Sequence, residues 1–151
     1  MISTNQPLME ISKLLTDAIV NKTPRYSLSG KLFYGKAVSL YDGDTFDVVL
    51  YTPQILRHTI RMLGYNAPEI KQPKCLPEEV RSKLGCQAQE AKIKLSNLLG
   101  LDLEPKDRPI LMVECGVWDK YGRLLATIYN NDVCINNLMT DYCNQLDTKF
   151  E

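Results

Sequence analysis

The segment Tyr41-Asp42-Gly43-Asp44-Thr45 lies between two short apolar-rich runs, residues 36–40 and 46–51. Asp and Gly are favoured in hairpin turns, so this pattern reads as a tight β-hairpin and marks the start of a β-rich body. A third run, residues 58–63, alternates, with Ile60 and Met62 on one face and Arg61 and Leu63 on the other. Residues 64–73 carry Gly and Pro and read as loop. Residues 86–99 place Ala88, Ala91, Leu95, Leu98 and Leu99 on one helical stripe, with Gly100 as the stop. Residues 109–117 and 124–129 read as two further strands. Ile135, Leu138, Met139, Tyr142 and Leu146 mark a last amphipathic helix. The order β-β-β-α-β-β-α predicts an α+β fold, a small five-stranded OB-like barrel with packed helices.

Ahead of this body, residues 5–21 read as an extra N-terminal helix. Leu8, Ile11, Leu15, Ala18 and Ile19 share a face, and Pro7 suits the first turn. Residues 21–24 break it, and Ser27-Leu28-Ser29-Gly30 reads as a linker. The expected division is a helical extension and linker over 1–30 and one domain over 31–151. A length of 151 residues suits a single core, and 44% hydrophobic with 24% charged residues suits a soluble globular protein.

No apolar run approaches the ~20 residues a membrane span needs, and the first residues lack the basic-then-apolar order of a signal peptide. A cytoplasmic protein with no membrane partner, monomeric by default, is expected. Five cysteines are scattered without a C-x-x-C pair, and His58 is the only histidine. That set suits neither a zinc site nor a closed disulfide framework. Reduced thiols buried as small hydrophobes are expected, and His58 is expected at the surface of a strand edge. Eighteen basic and eighteen acidic residues give zero net charge, which counts against tight non-specific binding of nucleic acid but leaves room for a local basic cleft.

Three segments can carry chemistry. Asp42 and Asp44 on a tight turn can hold a hard cation, since Ca²⁺ and Mg²⁺ take oxygen ligands. Taken alone the pair is equally at home in any hairpin turn. An EF-hand is excluded, because the sixth and twelfth positions counted from Asp42 are Asp47 and Pro53. Arg61, on a strand among apolar neighbours, needs a partner. It is either a structural ion pair to Glu69 or Asp44, or a guanidinium fork for two phosphate oxygens. Asp119-Lys120-Tyr121-Gly122-Arg123 is a hairpin tip, whose charges alone read as solvated.

As an ordered set, Asp42-Gly43-Asp44-Thr45, Arg61, Asn66-Ala67-Pro68-Glu69 and Asp119-Lys120-Tyr121-Gly122-Arg123 resemble the staphylococcal nuclease (thermonuclease) family. Gly85, with a helix beginning near Ala88, fits the same order, and the resemblance covers roughly residues 35–145. It implies the family's OB-like barrel and a metal-dependent nuclease acting on DNA or RNA. Ca²⁺ is the expected cofactor, with Mg²⁺ second to it. Asp44 is implied as a direct ligand, Asn66 stands where a second aspartate ligand is usual, and Ala67 offers its carbonyl. Asp42 and Thr45 are implied to shape the turn around the ligands. Glu69 is implied to activate the attacking water, and Arg61 and Arg123 to hold the scissile phosphate.

Asn66 in place of aspartate removes a charge from the cation's cage, so weaker binding, in the millimolar range, is expected. The chain also stops soon after Leu146, where the family commonly continues with a tyrosine-bearing loop and a further helix. The N-terminal helix is expected to pack in that place. The alternative function is a non-catalytic nuclease-like module binding nucleic acid or a protein partner. A third reading, a generic single-strand binder of the OB type, would use Tyr41, Phe46 and Tyr51 as stacking rings.

Overall fold

Phe46, Val48 and Leu50 alternate along one strand and Ile60 and Met62 along the next, and every one of them is fully buried. This period of two turns one face of a continuous sheet inward, and the sheet rolls up on it. The computed structural model describes residues 7–146. The strands are β1 (Leu32–Asp42), β2 (Thr45–Tyr51), β3 (Ile55–Met62), β4 (Leu111–Trp118), β5 (Leu124–Asn130) and the short β6 (Val133–Cys134). They run in the order β3-β2-β1-β4-β5-β6. A parallel pairing of β3 with β5, from Ile60↔Leu124 to Met62↔Ala126, closes the first five into a barrel. The expected α+β, OB-like architecture is what the chain adopts, with β6 as a two-residue addition paired to β5.

Three helices are described: α1 (Leu8–Asp17), α2 (Glu78–Leu99) and α3 (Ile135–Asn144). Helix α2 packs on β1, and α3 packs on β5 and α2. Ala88, Ala91, Leu95 and Leu99 of α2 are buried, as are Ile135 and Met139 of α3. Each large apolar side chain so buried stabilises the fold by about 1.5–3 kcal/mol before chain entropy is charged against it. Gly100 ends α2 in the left-handed region at φ 77°. A side chain there would also run into Pro109, so only glycine serves.

The departures from expectation have physical reasons. Helix α2 begins eight residues before position 86 and runs straight through Gly85. Pro77 at its N-cap and Glu78 and Glu79 in the first turn start it. One interior glycine costs only about 1 kcal/mol, which a 22-residue helix absorbs. Strand β1 extends the expected 36–40 at both ends because residues 32–35 pair with β4 and residues 35–42 with β2, and β3 starts three residues before 58 because its pairing with β2 begins at Ile55.

Helix α1 is shorter than the expected 5–21; positions 5 and 6 lie outside the described residues, and a single 3-10 turn follows at Val20–Lys22. None of its residues is buried, and Leu8 and Leu15 are 77% and 72% exposed. It is an appendage, as expected, and does not pack in place of a C-terminal helix. The linker reading of 27–30 also changes. Leu28 joins the core, and Gly30 N–H donates to the Cys115 carbonyl while Cys115 N–H donates back to that of Lys31.

Among the cysteines only Cys115 is buried; Cys75 and Cys86 are exposed, and Cys134 and Cys143 are half-buried. All five are free thiols. His58 is half-buried rather than open at the surface. Its ring lies 5.7 Å from that of Trp118, its Nε2 is buried without a hydrogen-bond partner among the described residues, and burial pushes its pKa down. No described helix is long and apolar enough to cross a membrane.

Candidate active site

Asp42, the last residue of β1, pairs directly with Thr45, the first of β2, so Gly43 and Asp44 alone make the turn. Asp42 Oδ1 accepts from Asp44 N–H at 3.1 Å, which fixes both carboxylates on one side of it. Glycine at 43 is a packing requirement: a Cβ there would sit 2.7 Å from that of Ala67 and 2.9 Å from that of Ala91. The turn is thus wedged between the loop after β3 and helix α2.

Asp44 is buried and accepts on both oxygens. Oδ1 takes the Thr45 hydroxyl at 3.0 Å, and Oδ2 takes Ala67 N–H at 2.9 Å. Arg61 Nη2 lies 3.3 Å from the same Oδ2. Arg61 is brought there by β3, whose Thr45↔Arg61 register sets it beside the turn. Its Nη1 donates to the carbonyls of Met62 (3.0 Å) and Tyr65 (3.1 Å), and its Nη2 donates to Asn66 Oδ1. Of the two partners open to Arg61, Asp44 is the one it takes.

Arg123 approaches from the β4–β5 hairpin. Its Nε donates to Asp119 Oδ2 at 2.7 Å, while Asp119 Oδ1 caps the backbone N–H groups of Tyr121 and Arg123. Burial opposes ionisation of Asp119, but these hydrogen bonds from Arg123 and Tyr121 outweigh it and hold its carboxyl below the usual range. Arg123 Nη1 reaches Thr45 Oγ1 at 3.5 Å, so Thr45 stands between Arg123 and Asp44. Glu69, on the exposed loop after β3, presents a carboxylate with no hydrogen bond or ion pair among the described residues.

Asp42, Asp44, Arg61, Asn66, Ala67, Glu69 and Arg123 line one cleft of about 210 Å³. Every residue expected at the site is at this cleft, with Thr45 on its wall. Two larger cavities, one of about 480 Å³ on the barrel and one of about 400 Å³ along the N-terminal segment, gather fewer groups able to do chemistry. Sequence reasoning did not pick out Tyr65, whose buried hydroxyl donates to the Gly43 carbonyl at 2.7 Å, nor the orienting role of Asp119. An aspartate at the first position of a tight turn, four residues before an arginine, was a usable signal for the second.

The available metal donors in this cleft are oxygens: two adjacent carboxylates, the Asn66 amide and the Ala67 carbonyl. Among the described residues no cluster of three or more His, Cys, Asp and Glu side chains is poised to hold a metal. The donor set is of the type a hard cation takes, oxygen alone. Its electrostatics point the same way. Burial, then the hydrogen bond and charge of Asp42, push the Asp44 carboxyl up to about 6, against the lowering effects of Ala67 N–H and Arg61. With all groups ionised, three carboxylates face two guanidiniums, one negative charge in excess. A divalent cation reverses that sign, which is what an anionic ligand needs.

A pH dependence follows. The folded pKa of Asp44 is raised, so its ionised form costs stability, fully so above about pH 6, and the cost disappears as pH falls below the unfolded value near 3.8. Asp42, Arg61, Glu69, Arg123, Tyr65 and Cys143 surround it. In chelator, wild type is expected to gain stability relative to Asp44→Asn between pH 7 and 5. Thermal melts at pH 5, 6 and 7 check this; a wild-type minus Asp44→Asn difference flat across that range would contradict the assignment.

No family model matches the chain. It is similar to an uncharacterized protein of Bacillus anthracis, 32% identical over 105 residues, which are 70% of this chain and 42% of that protein. The chain spans less than half the length of this relative.

Proposed function

We propose that the chain is a calcium-dependent phosphodiesterase of the staphylococcal nuclease type, hydrolysing DNA or RNA. One observation carries the reading. Residues from four separate stretches of sequence, the β1–β2 turn, β3, the loop after it and the β4–β5 hairpin, converge on a single cleft with two arginines and three carboxylates. Asp44 and the Ala67 carbonyl, with Asn66 and Asp42 beside them, would hold the cation, whose charge polarises the phosphoryl group when bound.

In-line attack on a phosphodiester loads negative charge on the equatorial oxygens, and preplaced donors there are worth on the order of 3 kcal/mol each. Arg123 is the more available of the two arginines, because Asp119 fixes its Nε and, among the described residues, its outer nitrogens make only the 3.5 Å contact of Nη1 with Thr45 Oγ1. Arg61 already spends both outer nitrogens on the chain. It contributes charge from the wall and gains contacts with phosphate by exchanging its bond to Asn66. Glu69 is unencumbered and takes the proton of the attacking water. The all-oxygen donor set with main-chain and amide members favours Ca²⁺ over Mg²⁺, which demands a stricter octahedron. The free thiols accord with a cytoplasmic setting.

End-labelled single-stranded DNA and RNA, incubated with Ca²⁺, Mg²⁺ or chelator, test the proposal. Calcium-dependent cutting is expected, with Glu69→Gln slower by about 10²–10⁴-fold at unchanged melting temperature. No cutting by folded wild type at any metal concentration would sink it and leave the non-catalytic binding module, which the engagement of Arg61 by the chain's own carbonyls favours.

A further inference from the structure

Tyr65 touches both halves of the cleft. Its hydroxyl donates to the Gly43 carbonyl at 2.7 Å, inside the turn that carries Asp42 and Asp44. Its own carbonyl accepts from Arg61 Nη1 at 3.1 Å. The ring is buried in the barrel core, 9% exposed, and the next residues along are Asn66 and Ala67, which face the same cleft.

Among the described residues, the loop bearing Glu69 is otherwise joined to the turn by Ala67 N–H on Asp44 Oδ2, by the packing of Ala67 on Gly43, and through Arg61, which bonds the Tyr65 carbonyl and Asn66 while lying against Asp44 Oδ2. The first of these draws on Asp44 itself, the carboxylate a cation would need. A hydroxyl bonded to the Gly43 carbonyl instead holds turn to loop without occupying any carboxylate oxygen.

We propose that Tyr65 is a positioning residue, a latch that holds the carboxylate turn in register with Arg61 and with the loop carrying Ala67 and Glu69. It touches neither cation nor phosphate and acts through the groups that do. The inference rests on the nuclease reading for its catalytic consequence, but the latch is a property of the fold and can be judged without any cleavage. Removal of the hydroxyl alone, by Tyr65→Phe, keeps the ring in the core and takes away one tie between turn and loop, leaving those through Ala67 and Arg61.

The test is Tyr65→Phe against wild type, with three readouts: melting temperature, hydrogen exchange at the Asp44 and Ala67 amides, and the Ca²⁺ concentration for half-maximal cleavage of single-stranded DNA. Faster exchange at both amides is expected, together with a half-saturating Ca²⁺ concentration raised on the order of fivefold, the worth of one hydrogen bond. Cleavage at saturating Ca²⁺ is expected to recover much of the wild-type rate, a split that general loss of stability does not produce. Unchanged exchange at both amides overturns the latch, as does an unchanged Ca²⁺ dependence in a protein that cuts. If wild type neither cuts nor binds Ca²⁺, the nuclease reading fails by itself. The latch is then decided by amide exchange alone, faster exchange upholding it and unchanged exchange overturning it.

Discussion

Arg61→Gln is expected to lose cleavage by about 10²–10³-fold, the usual cost of one preorganised donor at a developing oxyanion, and to lose stability with it. The two losses have different origins. The guanidinium spans the carbonyls of Met62 and Tyr65, the Asn66 amide and Asp44, and a glutamine cannot reach all four. Breaking a buried ion pair ordinarily costs about 3–5 kcal/mol, because the abandoned charge has no counterion. Here the cost is capped. Asp44 already titrates at about 6, so it can shed its charge by taking a proton, and about 2 kcal/mol is the expected loss at pH 7.

That stability loss is expected to shrink further at pH 5, where Asp44 is neutral in both proteins. Arg123→Gln should differ in kind. Arg123 is held by an aspartate on its own hairpin, partly open to water, so cleavage falls by a similar factor while the melting temperature barely moves. Single-turnover cleavage and thermal melts of the two variants separate these outcomes. Equal effects on stability would mean that Arg61 is not the wall between turn and loop that its bonds describe.

The contrast between the two arginines also marks what the sequence can and cannot disclose. The hairpin at 41–45 was legible because only a few residue types make a two-residue turn. The set from Asp44 to Arg123 was legible as charged and polar residues on turns and strands, and the closed barrel brings it to one cleft. The share of labour between Arg61 and Arg123 was not, since it depends on carbonyl oxygens, which every residue has. Tyr65 reads in sequence as one more apolar position, and its hydroxyl finds Gly43 only once the barrel has closed. His58 was misplaced for a similar reason: the ring that covers it, Trp118, is remote in sequence and arrives on another strand. Periodicity gave α1 an apolar face but could not say whether anything covers that face, and nothing described does. Helix α2 was cut short because its start was taken from the apolar stripe that begins at Ala88, when the acidic first turn at Glu78 and Glu79 was the better marker.

Asn136→Ala is expected to destabilise the protein more than Arg61→Gln or Arg123→Gln, though Asn136 lines no cleft. It sits in the first turn of α3, 4% exposed. Its Oδ1 accepts from Ile128 N–H at 2.8 Å, and its Nδ2 donates to the carbonyls of Leu63 at 2.8 Å and Ala126 at 3.0 Å. Those groups belong to the segment leaving β3 and to β5, at the point where their parallel pairing ends with Met62↔Ala126. One amide therefore finishes the ladder that closes the barrel and ties β3, which carries Arg61, to the strand following Arg123. Alanine leaves a buried N–H without an acceptor and weakens two carbonyls, a loss of about 3 kcal/mol. Against a typical stability of about 5–15 kcal/mol that is a large fraction, and it corresponds to a fall in melting temperature on the order of 10 °C. Asn136→Asp sharpens the test. It keeps the acceptor for Ile128 but sets a charge against two carbonyl oxygens, so it should be at least as damaging at pH 7 and should recover as acid protonates it and restores one donor. A melting temperature within about 2 °C of wild type for Asn136→Ala would mean the barrel closes without this amide, and that α3 is held by its apolar face alone.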